Sequence, residues 1–209
     1  MKRLLSATLL TFLVIAPLTL TAQTTTLKFS QDGEFASFSQ SNPPFGSTTL
    51  SVSRNLATGS AATASLSFFT ASFSSDFSTF TFTQIVGAIP AGDFTGENTN
   101  NLTLSFNTAD LDPSGVNQTC SIDIITFTGS CGPGPSGTIS VSFSQNGVMR
   151  TRVLALGEEI TVGTTTTRIH QRSDNSTANF SGTIFGNSVS GSDGTVGINH
   201  NSSLEFIKN

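Results

Sequence analysis

The chain has 209 residues, of which 36% are hydrophobic and 11% are charged, and its formal net charge is −4. So few Lys and Arg argue against a nucleic-acid-binding protein, because binding to phosphates requires a dense positive surface. Ser and Thr together number 63, and the 18 Phe are accompanied by no Trp or Tyr. This composition favours strands over helices and supplies enough apolar side chains to build a core.

Residues 1–22 have the organisation of a secretory signal peptide. Lys2 and Arg3 precede an apolar stretch from Leu4 to Ile15, and the small Ala22 precedes the expected cleavage site. The apolar stretch is shorter than the roughly 18 to 20 residues that span a bilayer, which favours cleavage over a retained anchor. Cleavage leaves seven Lys and Arg against thirteen Asp and Glu, a formal charge of −6. We therefore predict a secreted or extracytoplasmic protein, in the periplasm or at the cell surface, with no membrane span after the leader is removed.

The mature chain, residues 23–209, shows repeated period-2 alternation between apolar residues and Ser or Thr. Such alternation predicts strands with one packed face and one wet face, as in antiparallel sheets. The clearest apolar sets are Leu27/Phe29, Leu50/Val52, Leu66/Phe68, Phe80/Phe82, Leu102/Leu104/Phe106, Ile139/Val141/Phe143, Phe180/Ile184 and Leu204/Phe206. We predict an all-β fold of about ten to thirteen short strands, an antiparallel β-sandwich of immunoglobulin-like or jelly-roll type. One domain is favoured, and two small sandwiches divided near Asp112 are the alternative.

Two sequence turns predict two-residue hairpins. One is Asp32-Gly33, between the runs 26–31 and 34–39, and the other is Asn146-Gly147, between the runs 137–145 and 148–155. Loops are predicted at residues 42–44, 92–101, 110–115, 131–137 and 186–197, and a closing strand is predicted at residues 202–207.

The densest aromatic pattern lies in residues 64–86. It contains Phe68, Phe69, Phe73, Phe77, Phe80 and Phe82, separated mainly by Ser and Thr. Alternating Phe is typical of a β-sandwich interior, so two neighbouring core strands are the favoured interpretation. The alternative is a self-associating surface or a fibre segment.

The two cysteines, Cys120 and Cys131, favour a disulfide, because an exported chain enters an oxidising compartment. The sequence between them has the pattern of a strand, and eight extended residues span about 26 Å, whereas bonded cysteines have Cα atoms within roughly 7 Å. We therefore predict a bond accompanied by a bend between Ile122 and Thr128. Unbonded thiols on a straight strand are the alternative.

Motifs for metal binding and catalysis are weak. Residues 110–115 match the opening of an EF-hand loop, but Ser121 occupies the position that requires a bidentate Glu. The only histidines are His170 and His200, and no hydrolase elbow, zinc-protease, P-loop or dinucleotide motif occurs. We predict no catalytic residue, no metal and no cofactor, and whether the chain is an enzyme stays open.

The sequence predicts one ligand-binding surface, a patch of basic side chains. Arg150 and Arg152 share one face of a predicted strand, and Arg168, His170 and Arg172 share one face of another. If the two strands are neighbours, the five side chains converge on an anion-binding patch suited to an acidic glycan. Ordinary solvent-facing residues are the alternative interpretation.

The function predicted from these features is a secreted or cell-surface β-sandwich with a non-enzymatic binding or assembly role. A secreted hydrolase or a glycan-binding module is the alternative, weakened by the absence of the exposed Trp and Tyr on which sugars usually stack. The candidate partners are cell-surface components, an acidic glycan and a second copy of the chain.

Overall fold

A computed structural model describes residues 23–42, 46–57, 63–97, 101–162 and 165–208. The predicted signal peptide, residues 1–22, lies outside these described residues. The structure is 79% strand, and its paired strands are antiparallel. This confirms the all-β prediction.

Twelve strands are described, within the expected ten to thirteen, but they are not all short, because β1, β11 and β12 have 20, 20 and 22 residues. They are β1 (Gln23–Asn42), β2 (Gly46–Ala57), β3 (Thr63–Phe73), β4 (Thr79–Ile89), β5 (Phe94–Glu97), β6 (Asn101–Asn107), β7 (Val116–Asp123), β8 (Thr128–Pro133), β9 (Thr138–Gln145), β10 (Arg150–Val162), β11 (Thr165–Ile184) and β12 (Asn187–Lys208). Single turns of 3-10 helix at Ala91–Asp93 and Thr108–Asp110 flank β5 and β6.

The strands form one sheet in the order β5-β6-β9-β11-β12-β1-β2-β3-β4-β7-β8. The 20-residue β11 is long enough to pair with β10 along its first half and with β9 along its second half. The sheet curls into a half-barrel, and the two separate sheets of a sandwich are not shown. Strand twist accounts for this curl, because it accumulates over many neighbouring strands.

The hydrophobic core fills the interior of the curl. Phe38 of β1 stacks on Phe180 of β11 with ring centroids 4.1 Å apart, and it lies 6.3 Å from the ring of Phe143 on β9. Apolar residues at alternate positions continue this core along the neighbouring strands, as the period-2 pattern predicts. They include Leu50, Val52, Leu66, Phe68, Leu102, Leu104, Phe106, Ile139 and Val141.

Both predicted two-residue hairpins are wrong. Asp32 and Gly33 lie inside the continuous strand β1, where Asp32 pairs with His200 and Gly33 pairs with Asn199. Gly33 does not have the positive φ that a type I′ turn requires, and a Cβ there would lie 3.0 Å from an oxygen of Asn55. The glycine therefore permits close packing between strands rather than a reversal of the chain.

The second predicted hairpin fails for a topological reason. Asn146 and Gly147 connect β9 to β10, but instead of pairing with each other these strands pair with different parts of β11. A tight turn does occur at Phe185-Gly186, where both residues have positive φ, 50° and 81°. That turn joins β11 to β12. The loop predicted at residues 186–197 is wrong beyond Gly186, because residues 187–197 are part of β12.

Candidate functional site

The aromatic segment places its rings on two faces of the sheet. Phe68 points into the core and is 2% exposed. Phe69 and Phe73 alternate with it along β3, so they lie on the opposite side, which we call the outer face. Phe82 stacks against Phe69 on this face, with centroids 5.8 Å apart, and Phe80 lies 4.9 Å from Phe73. The prediction of two core strands therefore holds for Phe68 and is wrong for the other five rings, of which Phe77 lies in the turn between β3 and β4.

The inner face of the same strands becomes polar where the sheet extends beyond the core. Thr83 of β4 faces Thr119 of β7, with hydroxyl oxygens 2.8 Å apart, and Thr81 lies opposite Ser121. The apolar side of the sheet thus changes from the inner face to the outer face between β3 and β7. A hydroxyl ladder contributes no apolar burial, so the outer face is the hydrophobic one at this edge.

The β7–β8 hairpin extends the outer apolar face and carries the cysteine pair. Ile122 pairs with Phe80, and Cys120 pairs with Phe82, so all four share the outer face. The sulfurs of Cys120 and Cys131 are 1.97 Å apart, at bonding distance, and the chain reverses at residues 124–127. The predicted bend between Ile122 and Thr128 is confirmed.

Two hairpin turns meet at one end of this face. The β3–β4 turn, residues 74–78, lies beside the β7–β8 turn, because the amide of Ile124 donates to the carbonyl of Ser78 at 2.9 Å. Between the turns lies a groove of about 260 Å³ whose lining is apolar. We call the whole surface the hairpin-tip patch; it consists of Phe73, Phe77, Phe80, Ile122, Ile124, Ile125 and Phe127.

The exposure of this patch is large for apolar side chains. Phe127 is 85% exposed and Ile125 is 75% exposed, while Phe73 and Phe77 are 42% and 49% exposed. Scattered single apolar residues are normal on a protein surface, but contiguous ones mark an interaction site. Five residues of the hairpin-tip patch line one groove. The ring of Phe77 lies 6.1 Å from that of Phe73, and Ile125 follows Ile124 in the chain, so the patch meets that criterion.

Backbone strain adds a second argument at Phe127. Its φ is +54°, in the left-handed region where Gly and Asn are favoured and a bulky side chain costs of order 1–3 kcal/mol. The ring gains little burial within the fold to offset that cost, since most of its surface faces solvent. The fold therefore holds this Phe in a strained conformation without burying its ring.

Acidic residues border the hairpin-tip patch. Hydrogen bonds from the hydroxyl of Ser74 and from Ser78 lower the pKa of Asp76 to about 2. The backbone amides of Thr126 and Ile125 hold the pKa of Asp123 below its usual value. Both carboxylates are thus ionised at neutral pH, and no Lys or Arg occurs between Arg54 and Arg150. The patch is an apolar surface with a negative rim.

The five residues of the predicted anion-binding patch do lie on neighbouring strands, but not on one face. Arg150 pairs with Asn175 and Arg152 pairs with Ser173, and paired residues point to the same side of a sheet. Arg168, His170 and Arg172 alternate with those partners, so they point to the other side. Anion binding stays a prediction, but the five basic residues lie on two opposite faces of the sheet and do not form one patch.

Arg172 belongs to a charged cluster at the end of the core. Its guanidinium donates to the carboxylate of Asp174, which holds the pKa of Asp174 below its usual value with help from Thr151. His200 lies between two carboxylates, with Nδ1 2.7 Å from Asp32 and Nε2 3.7 Å from Asp174. The cluster joins β1, β11 and β12, so its evident role is to hold these strands together.

Within the described ranges, no group of three or more His, Cys, Asp and Glu is placed to hold a metal ion. The described part of the chain also contains no helix long and apolar enough to cross a membrane. No protein-family model matches the chain, and neither a curated protein nor a solved structure is similar to it. The assignment of a function therefore depends on the surface chemistry of this one structure.

Proposed function

We propose that this chain is an exported protein that functions by non-enzymatic assembly, with the hairpin-tip patch as its contact surface. The observation that carries the proposal is Phe127, an exposed aromatic side chain held in a strained backbone conformation beside an apolar groove. Burying a side chain of this kind contributes about 1.5–3 kcal/mol. That contribution is absent in the isolated chain and becomes available when a partner covers the patch.

The partner we propose is a second copy of the chain. A lipid surface is disfavoured, because the ionised Asp76 and Asp123 would have to approach the headgroups and no basic residue of the patch would attract them. A negative rim favours a partner with apolar and basic residues. The chain itself presents such a surface, around Val148 and Arg150.

Export is the second part of the proposal. The leader of residues 1–22 and the pairing of Cys120 with Cys131 across β7 and β8 are both consistent with an oxidising, extracytoplasmic location, either secreted or at the cell surface. We expect exported material to begin at or near Gln23. N-terminal sequencing tests this, and intact Met1 in a membrane fraction would contradict it.

The assembly proposal is tested by light scattering on the exported chain over a wide range of concentrations. We expect the mean mass to rise with concentration. The double variant Ile125→Ser/Phe127→Asn should remain monomeric at concentrations where the parent assembles. Val162→Ser is the matched control, because Val162 is as exposed as Ile125 at 75% but lies at the far end of β10.

The contrary result is a parent chain that stays monomeric at every concentration, or a double variant that assembles as the parent does. The first would show that the patch has no partner in a second copy. The second would show that assembly uses another surface.

A further inference from the structure

A second exposed surface of the chain has the properties that the hairpin-tip patch requires of a partner. The connector between β9 and β10 leaves a pocket of about 450 Å³ against β11 and β12, which we call the β9–β10 pocket. Its lining consists of Gly147, Val148, Arg150, Asn175, Ser176, Thr177 and Thr195. Val148 is 85% exposed at its mouth, as exposed as Phe127.

The pocket is preformed by hydrogen bonds. The amide of Asn146 donates to the carbonyl of Thr177 at 3.0 Å, and its side chain donates to Asn179 at 2.7 Å. The side chain of Gln145 donates to the carbonyl of Gly147 at 2.8 Å. These bonds fix the connector against β11, so a partner that enters the pocket does not have to order it first.

The charge of the pocket is opposite to that of the hairpin-tip patch. Arg150 lines it, and Arg152 lies two residues along on the same exposed face of β10. No carboxylate in the described part of the chain pairs with either guanidinium. Asp76 and Asp123 likewise have hydroxyl and amide donors but no basic partner among the described residues. Each surface therefore presents apolar area together with charges that its own fold leaves available.

We infer that the hairpin-tip patch of one copy docks into the β9–β10 pocket of the next. Phe127 and Ile125 would contact Val148, and the two carboxylates would face the two guanidinium groups. This inference rests on the proposed function and adds the identity of the receiving surface. The two surfaces share no residue, and four strands separate β11 from β4 in the order of the sheet, so both surfaces of one copy are available for contact. A contact between two different surfaces is heterologous, and it builds open chains or rings rather than a closed two-fold dimer.

Mixing two variants tests this arrangement. Phe127→Asn removes the tip and keeps the pocket, and Arg150→Glu reverses the charge of the pocket and keeps the tip. Each variant alone should assemble only at a protein concentration more than about tenfold higher than the parent requires. This is the effect expected from the loss of one hot-spot contact. An equimolar mixture should form a one-to-one complex and nothing larger, because only one competent interface remains. Arg168→Glu makes the same charge change on the other face and should assemble as the parent does.

The dependence of assembly on ionic strength is an independent test of the same contact. Opposite charges face each other in the heterologous contact, so added sodium chloride should weaken the assembly of the parent. A tip-to-tip dimer would bring carboxylates together, and added salt would strengthen it.

Three results overturn the inference. If Arg150→Glu assembles as the parent does, or the mixture stays monomeric, the pocket is not the receiving surface, although assembly through the tips would stand. If the parent itself never assembles, the proposed function fails as well.

Discussion

The guanidinium of Arg54 on β2 lies 5.8 Å from the ring centroid of Phe94 on β5, although β2 and β5 are far apart in the order of the sheet. Its nitrogens also donate to the carbonyls of Phe94 at 2.9 Å and Gly96 at 3.0 Å. The carboxylate of the buried Glu34 pairs with the same guanidinium. Arg54 therefore connects one edge of the curled sheet to its middle and helps to close the half-barrel.

We expect Arg54→Met to lower the free energy of unfolding by about 3–5 kcal/mol, because it leaves the Glu34 carboxylate buried without its partner. Urea denaturation measures the change. The double variant Glu34→Gln/Arg54→Met should recover part of the loss, since no charge then remains buried. Arg152→Met is the control for loss of an exposed arginine and should change little. A loss below about 1 kcal/mol for Arg54→Met would show that the curl does not depend on this contact.

The bond between Cys120 and Cys131 should stabilise the β7–β8 hairpin, because β8 is an edge strand whose residues are all exposed. Replacing both cysteines by Ser should cost about 3 kcal/mol, the value typical of a loop of this size. Hydrogen exchange should show the largest loss of protection in residues 116–133. A loss of protection spread evenly over the sheet would contradict a local role for the bond.

Phe127→Asn should stabilise the isolated chain, by about 1 kcal/mol, because Asn tolerates the positive φ that strains Phe. Thermal unfolding under monomeric conditions measures this. The same substitution weakens assembly in the proposal above, so stability and assembly should change in opposite directions. A destabilised Phe127→Asn monomer would mean that the ring supports the hairpin after all.

The ion pair of Arg172 with Asp174 predicts a dependence of stability on pH. The pKa of Asp174 is lowered in the folded chain, so its contribution is complete above the usual Asp pKa of about 4 and is lost as the pH falls below it. Asp174→Asn should flatten the acid limb of a plot of stability against pH. The exposed Asp193 provides the control, and Asp193→Asn should leave that limb unchanged. An acid limb that Asp174→Asn leaves unaltered would rule out this source of the pH dependence.

Local sequence patterns predicted individual strands well but did not predict the path of the chain. The strand predicted at residues 137–145 matches the bounds of β9 to within one residue. Its alternating residues Ile139, Val141 and Phe143 all point into the core. Asp32-Gly33 has the composition of a turn, yet Asp32 is held in a strand by His200, a residue far away in the sequence. Such long-range pairing cannot be derived from the residues beside it.

The candidate site was only partly predictable for a related reason. Alternation shows that Phe68 and Phe69 point in opposite directions, but the curl of the sheet decides which of the two directions is the core. The exposed turn residue Phe127 has no periodic signal at all. Its positive φ and its exposure become visible only in three dimensions.

Covalent footprinting of the protein at low and high protein concentration tests the central claim most directly, because it reports which surface becomes covered. We predict that labelling of residues 74–78 and 124–127 falls as the protein concentration rises. Labelling of Val162, which is as exposed as Ile125 in the monomer, should stay constant. Equal labelling of the two hairpin turns at every concentration, in a sample that light scattering shows to be assembled, would contradict the claim that the hairpin-tip patch is the contact surface.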